Sequence, residues 1–304
     1  MTTPQRFLSP RLIVIVAVGF SSLSSLLIRL STAPPLAVAA WRMILSAVLV
    51  VPIVGFGSWR ATRGARSPHQ RREARHDLLR SLPLIIASGI FLSLHFATWI
   101  TSLGMTSVAH STVLVTMHPV IVLAAGSLFL GEAAGRARTI AAFVAVGGAI
   151  LLSFGGSVGG RAPTVIGDLL AFAGAVAVSG YLILGRWARR RVDAWTYSLV
   201  VYTVAALVLV ALSAVGGQPL TGYPIREFVI FWALAFFCTV LGHGLINWGL
   251  RYLSAGDVSM YILLEPVFAT AMALVWLGEI PRVVTTAGAL IVLLSLGTVT
   301  RRRF

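Results

Sequence analysis

The chain has 304 residues, of which 58% are hydrophobic and 11% charged, and it carries a formal net charge of +15. That balance excludes a water-soluble globular domain, in which about a quarter of residues are charged. The chain has no lysine, and its 24 arginines crowd into segments between apolar runs, which marks them as an orientation signal rather than a nucleic-acid surface.

Ten apolar runs follow one another, most of them long enough as helices to cross a hydrocarbon core of about 30 Å. They lack the apolar–polar alternation of barrel strands, so the expected fold is an all-α membrane protein with ten transmembrane helices. The first run, 12–30, follows Arg6 and Arg11 and is interrupted by Ser21, Ser22, Ser24 and Ser25. Its length, and the second run directly after Pro34 and Pro35, favour a spanning helix over a cleaved leader. The second run, 35–56, contains Arg42, the one arginine inside a span. Arg42 either snorkels toward the nearer membrane face or draws a substrate carboxylate, and the structural role is the simpler. A connection at 57–80 holds Arg60, Arg63, Arg66, Arg71, Arg72, Arg75 and Arg80.

The third run, 81–102, places His95 and Trp99 one turn apart on one face. The fourth, 106–130, carries His110, His118 and Pro119. The fifth, 137–154, has Ala141, Ala145 and Ala149 as a small-residue stripe suited to close helix packing. The sixth, 165–186, brings Ser179 and Tyr181, and the seventh is 194–215. The eighth, 227–250, contains His243 and Asn247 one turn apart, together with Trp248 and the sole cysteine, Cys238, so no intrachain disulfide can form. The ninth, 257–277, holds Glu265 and Pro266, and the tenth is 283–299.

With the N-terminus inside, the inner segments and adjoining helix ends carry 19 arginines and the outer ones four, Arg29, Arg161, Arg226 and Arg282. Both termini are therefore expected to be cytoplasmic. Sliding the chain against itself by 147 positions places Ser107 on Ser254, Pro119 on Pro266, and Leu130, Gly131 and Glu132 on Leu277, Gly278 and Glu279. Two halves follow, 1–156 and 157–304. Because each has five spans, an odd number, the second must lie inverted in the membrane.

These features resemble the drug/metabolite transporter superfamily, in its ten-helix EamA-type branch. The resemblance rests on Gly167, Asp168, Leu169, Leu170 and Ala171 opening the sixth span, on Arg42, and on the segments 119–132 and 266–279. It implies two five-helix repeats, a central cavity lined chiefly by spans 1, 3, 4, 6, 8 and 9, and similarity to exporters of amino acids and related metabolites. The long arginine-rich connection and the histidines of spans 3, 4 and 8 are departures from that pattern.

Glu265 is the most informative residue, because a carboxylate near the bilayer centre costs roughly 2.5–3.5 kcal/mol on insertion scales. It either binds a substrate ammonium or is a protonated acid bonded to a neighbouring helix. Pro119 and Pro266 each remove a backbone donor and are expected to kink their helices. His95, His118 and His243, with Asn247, serve either as binding and proton-relay groups or as hydrogen-bond partners between helices. Trp99 and Tyr181 offer flat surfaces to a solute, although Trp99 and Trp248 near span ends also suit an interfacial belt. Ser25 is a candidate lining group. The histidines lack metal-ligand spacing and no Walker A motif occurs, so neither metal, cofactor nor nucleotide hydrolysis is expected.

The function expected is secondary transport of amino acids or related metabolites across a bacterial inner membrane, by alternating access about a solvent-reachable centre. A channel and an intramembrane enzyme acting on lipid are the alternatives. A monomer satisfies the reading, and no catalytic residue is assigned.

Overall fold

The structure, a computed structural model, describes residues 9–60, 67–106, 111, 114–129, 135–155, 164–277, 280 and 282–301. Its regular elements are helices: α1 (Pro10–Ser21), α2 (Ser24–Leu30), α3 (Pro35–Arg60), α4 (Pro68–Ser102), α5 (His118–Phe129), α6 (Arg136–Gly155), α7 (Val165–Ala188), α8 (Ala194–Val215) and α9 (Ile225–Ala233). A π-helical stretch, Leu234–His243, continues α9 into α10 (Gly244–Gly249); α11 (Ala255–Ile262), α12 (Glu265–Leu277) and α13 (Val283–Arg301) complete the chain. Among the described residues seven helical stretches are long and apolar enough to cross a membrane, with His118–Phe129 and Val283–Thr298 as shorter apolar helices. The described helices follow the apolar runs, apart from the start of the third, as they must where only internal hydrogen bonds can satisfy backbone groups in lipid.

Local chemistry sets the boundaries. Ser9 caps α1 by accepting from the Leu12 amide at 3.3 Å, and Pro10 occupies its first turn, where a missing N–H costs nothing. The α1–α2 break falls at the serines: Ser22 Oγ donates to the Val18 carbonyl at 2.7 Å, a back-bond that bends helices. The third helix departs from expectation. It starts at Pro68 rather than near residue 81, because Ser67 and Gln70 form a capping box, with Ser67 N donating to Gln70 Oε1 at 2.9 Å and Gln70 N to Ser67 Oγ at 3.3 Å. Arg71, Arg72, Arg75 and Arg80 are thus carried on a helix that extends beyond its apolar part.

Packing reveals the symmetry of the bundle. The second span meets the seventh (α3 on α8), the fourth meets the ninth (α5 on α11) and the fifth meets the tenth (α6 on α13). Contacts of the third span with the sixth and seventh are matched by contacts of the eighth with the first and second. The fourth on the sixth is matched by the ninth on the first. Exchanging the halves therefore maps the pattern onto itself, as a pseudo-twofold axis between inverted repeats requires. Of the sequence landmarks, Ser107, His110, Leu130, Gly131, Glu132, Gly278 and Glu279 lie outside the described residues.

The α6–α13 seam is tight. Ala141, Ala145 and Ala149 are buried in it, and Ser295 Oγ donates across it to the Ala141 carbonyl at 2.6 Å. A Cβ on Gly288 would lie 2.3 Å from Leu152 N and 2.5 Å from the Gly148 carbonyl. The alanine stripe therefore serves close helix approach within one chain.

Candidate functional site

The fourth and ninth spans are interrupted at equivalent places. Met117 N donates to Leu114 O at 3.2 Å and Val120 N to Met117 O at 3.1 Å; Leu263 N donates to Met260 O at 3.2 Å and Leu264 N to Tyr261 O at 3.0 Å. These tight three-residue turns lie beside Pro119 and Pro266, whose rings lack a donor and crowd the preceding turn. Helix resumes at His118 in one repeat and at Glu265 in the other. The two residues are 147 positions apart, so each repeat starts an inner half-helix on an ionisable side chain. Glu265 sits at the positive end of α12, where negative charge is stabilised, and Ser21 of α1 lies beside its carboxyl.

Arg42 lies fully buried rather than snorkelling to a membrane face. Its Nε donates to Thr239 Oγ1 at 2.7 Å, and its guanidinium carbon stands 4.3 Å from the centre of the Phe96 ring, a cation–π geometry. These two contacts hold the head inside the bundle. Its two terminal nitrogens make no hydrogen bond to any described residue.

The Phe96 ring also meets His95 at 5.1 Å and His243 at 5.6 Å between centroids. His95 stacks on Trp99 at 5.8 Å and 10°, which sets that tryptophan beside the polar cluster. His95 Nδ1 donates to the Gly174 carbonyl at 2.9 Å; because a carbonyl only accepts, Nε2 is the acceptor whenever the ring is neutral. His118 Nδ1 donates to the Val115 carbonyl at 3.0 Å. Tyr181, wholly buried, donates to Asn247 Oδ1, and Asn247 Nδ2 donates to Ser198 Oγ at 3.0 Å. His243 packs 6.2 Å from Tyr181 and leaves its buried Nδ1 without a partner among the described residues. Ser179 bonds within its own helix to Ala175 O at 2.7 Å, Ser25 is half-buried on α2, and Trp248 packs on Tyr252 at 4.5 Å.

The π-helical stretch has no signal in the sequence, yet it shapes this centre. Thr239 Oγ1 donates five residues back, to Leu234 O at 3.2 Å, while accepting from Arg42. The wider turn brings Thr239 to the guanidinium. Both ends of the eighth span are tied down by charges that hydropathy does not reveal. At the start, Glu227 accepts from Ser31 Oγ at 2.5 Å and from Thr32 N and Oγ1 at 3.0 Å each. At the end, Arg186 donates to Leu250 O at 2.7 Å and Arg189 to Asn247 O at 2.8 Å, cations on helix-terminal carbonyls. Burial lowers the Arg189 pKa to about 10, so it keeps its charge at neutral pH. A lone acid entering an apolar run, and two arginines three residues apart on leaving one, were the available clues.

The centre is more closed than the sequence reading requires. His95 is 7% and His243 8% exposed, Arg42, Tyr181 and Asn247 are fully enclosed, and Glu265 retains partial exposure. The second and seventh spans contribute through Arg42 and Ser198, beyond the six spans expected to line it. A separate hollow between α5 and α6, lined by Val120, Leu123 and Phe143 among others, is mostly apolar.

Inverted repeats that enclose a polar centre beside two proline-broken helices are the architecture of a membrane transporter. The EamA-like transporter family model matches residues 9–154 and 165–301, and the chain belongs to that family. Its curated relatives include the uncharacterized transporter YyaM of Bacillus subtilis (strain 168), 26% identical over 270 residues, covering 87% of this chain and 84% of the relative. The pseudopaline exporter CntI of Pseudomonas aeruginosa (strain UCBPP-PA14) is 23% identical over 216 residues, covering 71% and 74%. A solved crystal structure, 17% identical, covers 97% of this chain and 99% of its own with a TM-score of 0.76, so the fold is shared over nearly the whole length.

Proposed function

We propose that the chain is a secondary transporter that exports small organic solutes, amino acids or related metabolites, across a bacterial inner membrane by alternating access. The carrying observation is the cluster of enclosed polar side chains between the two halves, with Glu265 at the broken end of α12. Burying such groups in an apolar bundle is costly unless they are partnered, and Arg42 and His243 keep buried nitrogens that no described residue partners, open to a passing solute. In this reading Glu265 receives an ammonium group, His95, His118 and His243 supply hydrogen bonds or proton sites, and Trp99 and Tyr181 offer aromatic surface. Asn247 and Ser25 add polar contacts, and Pro119 and Pro266 keep the half-helices free to tilt. The moving modules are 1–156 and 157–304, with both termini cytoplasmic. The closed centre corresponds to an occluded state between two openings. Outward direction is supported by similarity to an exporter, and the absence of a Walker A motif points to gradient-driven movement.

The test is flux through the purified chain in proteoliposomes. Glu265→Gln is expected to lower flux about tenfold or more while the protein still elutes as a single species with near-wild-type melting. Unchanged flux would remove Glu265 from the mechanism. Saturable counterflow with trans-stimulation is expected of a carrier; flux that ignores solute on the far side would indicate a channel.

A further inference from the structure

We propose that Arg42 binds a carboxylate of the transported solute, and that the substrates are therefore carboxylate-bearing compounds, zwitterions of the amino-acid kind foremost. This rests on the carrier reading above and names the chemistry of its site.

The argument begins with an incomplete set of hydrogen bonds. A guanidinium carries five N–H donors in a planar fork suited to a carboxylate. Arg42 uses Nε on Thr239 and one face on Phe96, and both terminal nitrogens, fully enclosed, have no partner among the described residues. A cationic group left short of partners in an apolar bundle is costly. If Arg42 existed to neutralise Glu265, the two would form a direct ion pair. They interact electrostatically, yet neither is in a salt bridge with a described residue. The two charges thus face a common centre from the second and ninth spans without closing on each other.

The surroundings fit a guest with a charge at each end. Thr239 and Phe96 fix the plane and position of the guanidinium, so little ordering is left for binding. His95 and His243 lie within electrostatic reach of Arg42, and the unpartnered His243 Nδ1 adds a further hydrogen-bonding position. Glu265 supplies the anionic counterpart for an ammonium. A simple amine would meet Arg42 unpaired, and a simple acid would meet Glu265 as a like charge. A zwitterion satisfies both.

The experiment uses the full chain in proteoliposomes, with three probe sets: the twenty common amino acids, their carboxamides, and their des-amino acids. Transport of each is read by mass spectrometry of vesicle contents. For wild type, at least one amino acid is expected to move about tenfold faster than its carboxamide, equivalent to a charge-assisted hydrogen bond. In Arg42→Gln that preference is expected to fall to about twofold, and Arg42→Lys, which keeps charge but loses the fork, to retain an intermediate preference. If carboxamides move as fast as amino acids in wild type, or if Arg42→Gln keeps the full preference, the carboxylate assignment is overturned and carriage stands. If no member of any set moves, the carrier reading for these solutes falls and the assignment falls with it. Should Arg42→Gln fail to fold, the wild-type comparison of acid with amide, together with Arg42→Lys, still decides.

Discussion

At the level of single residues, the polar groups divide into those that are satisfied and those that are held short. Asn247 is partnered at both amide atoms: Tyr181 donates to its oxygen and its nitrogen donates to Ser198. Tyr181→Phe is expected to destabilise the chain by about 0.5–1.5 kcal/mol, since it leaves a buried acceptor bare. A melting curve in detergent measures this, and an unshifted midpoint would mean that the bond contributes nothing. Arg42 belongs to the other group. The sequence located it inside a span but could not show which way its long side chain turns, because snorkelling and inward placement have the same hydropathy. Three-dimensional neighbours, Thr239 and Phe96, decide between them. The same limit applies to Trp99: the sequence places it near a span end, and only the coordinates show its ring stacked on His95 one turn away.

At the level of helices, hydropathy located the spans well because apolar length is a property of consecutive residues. Helix geometry within a span is not. The π-helical turns of Leu234–His243 lie where the eighth span packs on the first and second, and no local residue announces them. The N-terminal extension of the third helix to Pro68 was legible in principle, since Ser67, Pro68 and Gln70 form a standard start signal, but the arginines around it read as a loop. Close packing was legible too, through small residues at helical spacing. Two adjacent contrasts test it. Gly288→Val is expected to cost about 3 kcal/mol or more, because its side chain would collide with the backbone of α6. Gly147→Val, with nothing within 4 Å of an added Cβ, is expected to change stability by less than about 0.5 kcal/mol. Size-exclusion profiles and melting of the two variants should separate clearly; similar behaviour would contradict the seam. For the broken helices, Pro119→Ala and Pro266→Ala restore a backbone donor and relieve the clash with the preceding turn. Each is expected to slow counterflow several-fold while the melting temperature holds or rises, and faster exchange would argue against a role for the breaks in movement.

For the molecule as a whole, the matching of contacts across the two halves means that the same set of interfaces can be written twice, once for each face. Alternating access follows naturally from such a plan, because an arrangement open to one side has a counterpart open to the other. The repeat was visible in the sequence through its prolines, and Arg189 stands 147 positions after Arg42, whereas Glu227 and Arg186 fall on Arg80 and Ala39 and have no such copies; what these three charges tie down came from the coordinates.

One thiol occurs in the chain, and Cys238 is buried in the eighth span within electrostatic reach of both Arg42 and Glu265. Nature has thus installed a single chemical reporter at the heart of the bundle, and no cysteine-free background has to be engineered to use it. Sealed vesicles challenged with a membrane-impermeant maleimide should register little modification at rest. Added solute should then change the labelling rate in opposite directions on the two faces, turning an otherwise silent side chain into a readout of which door is ajar.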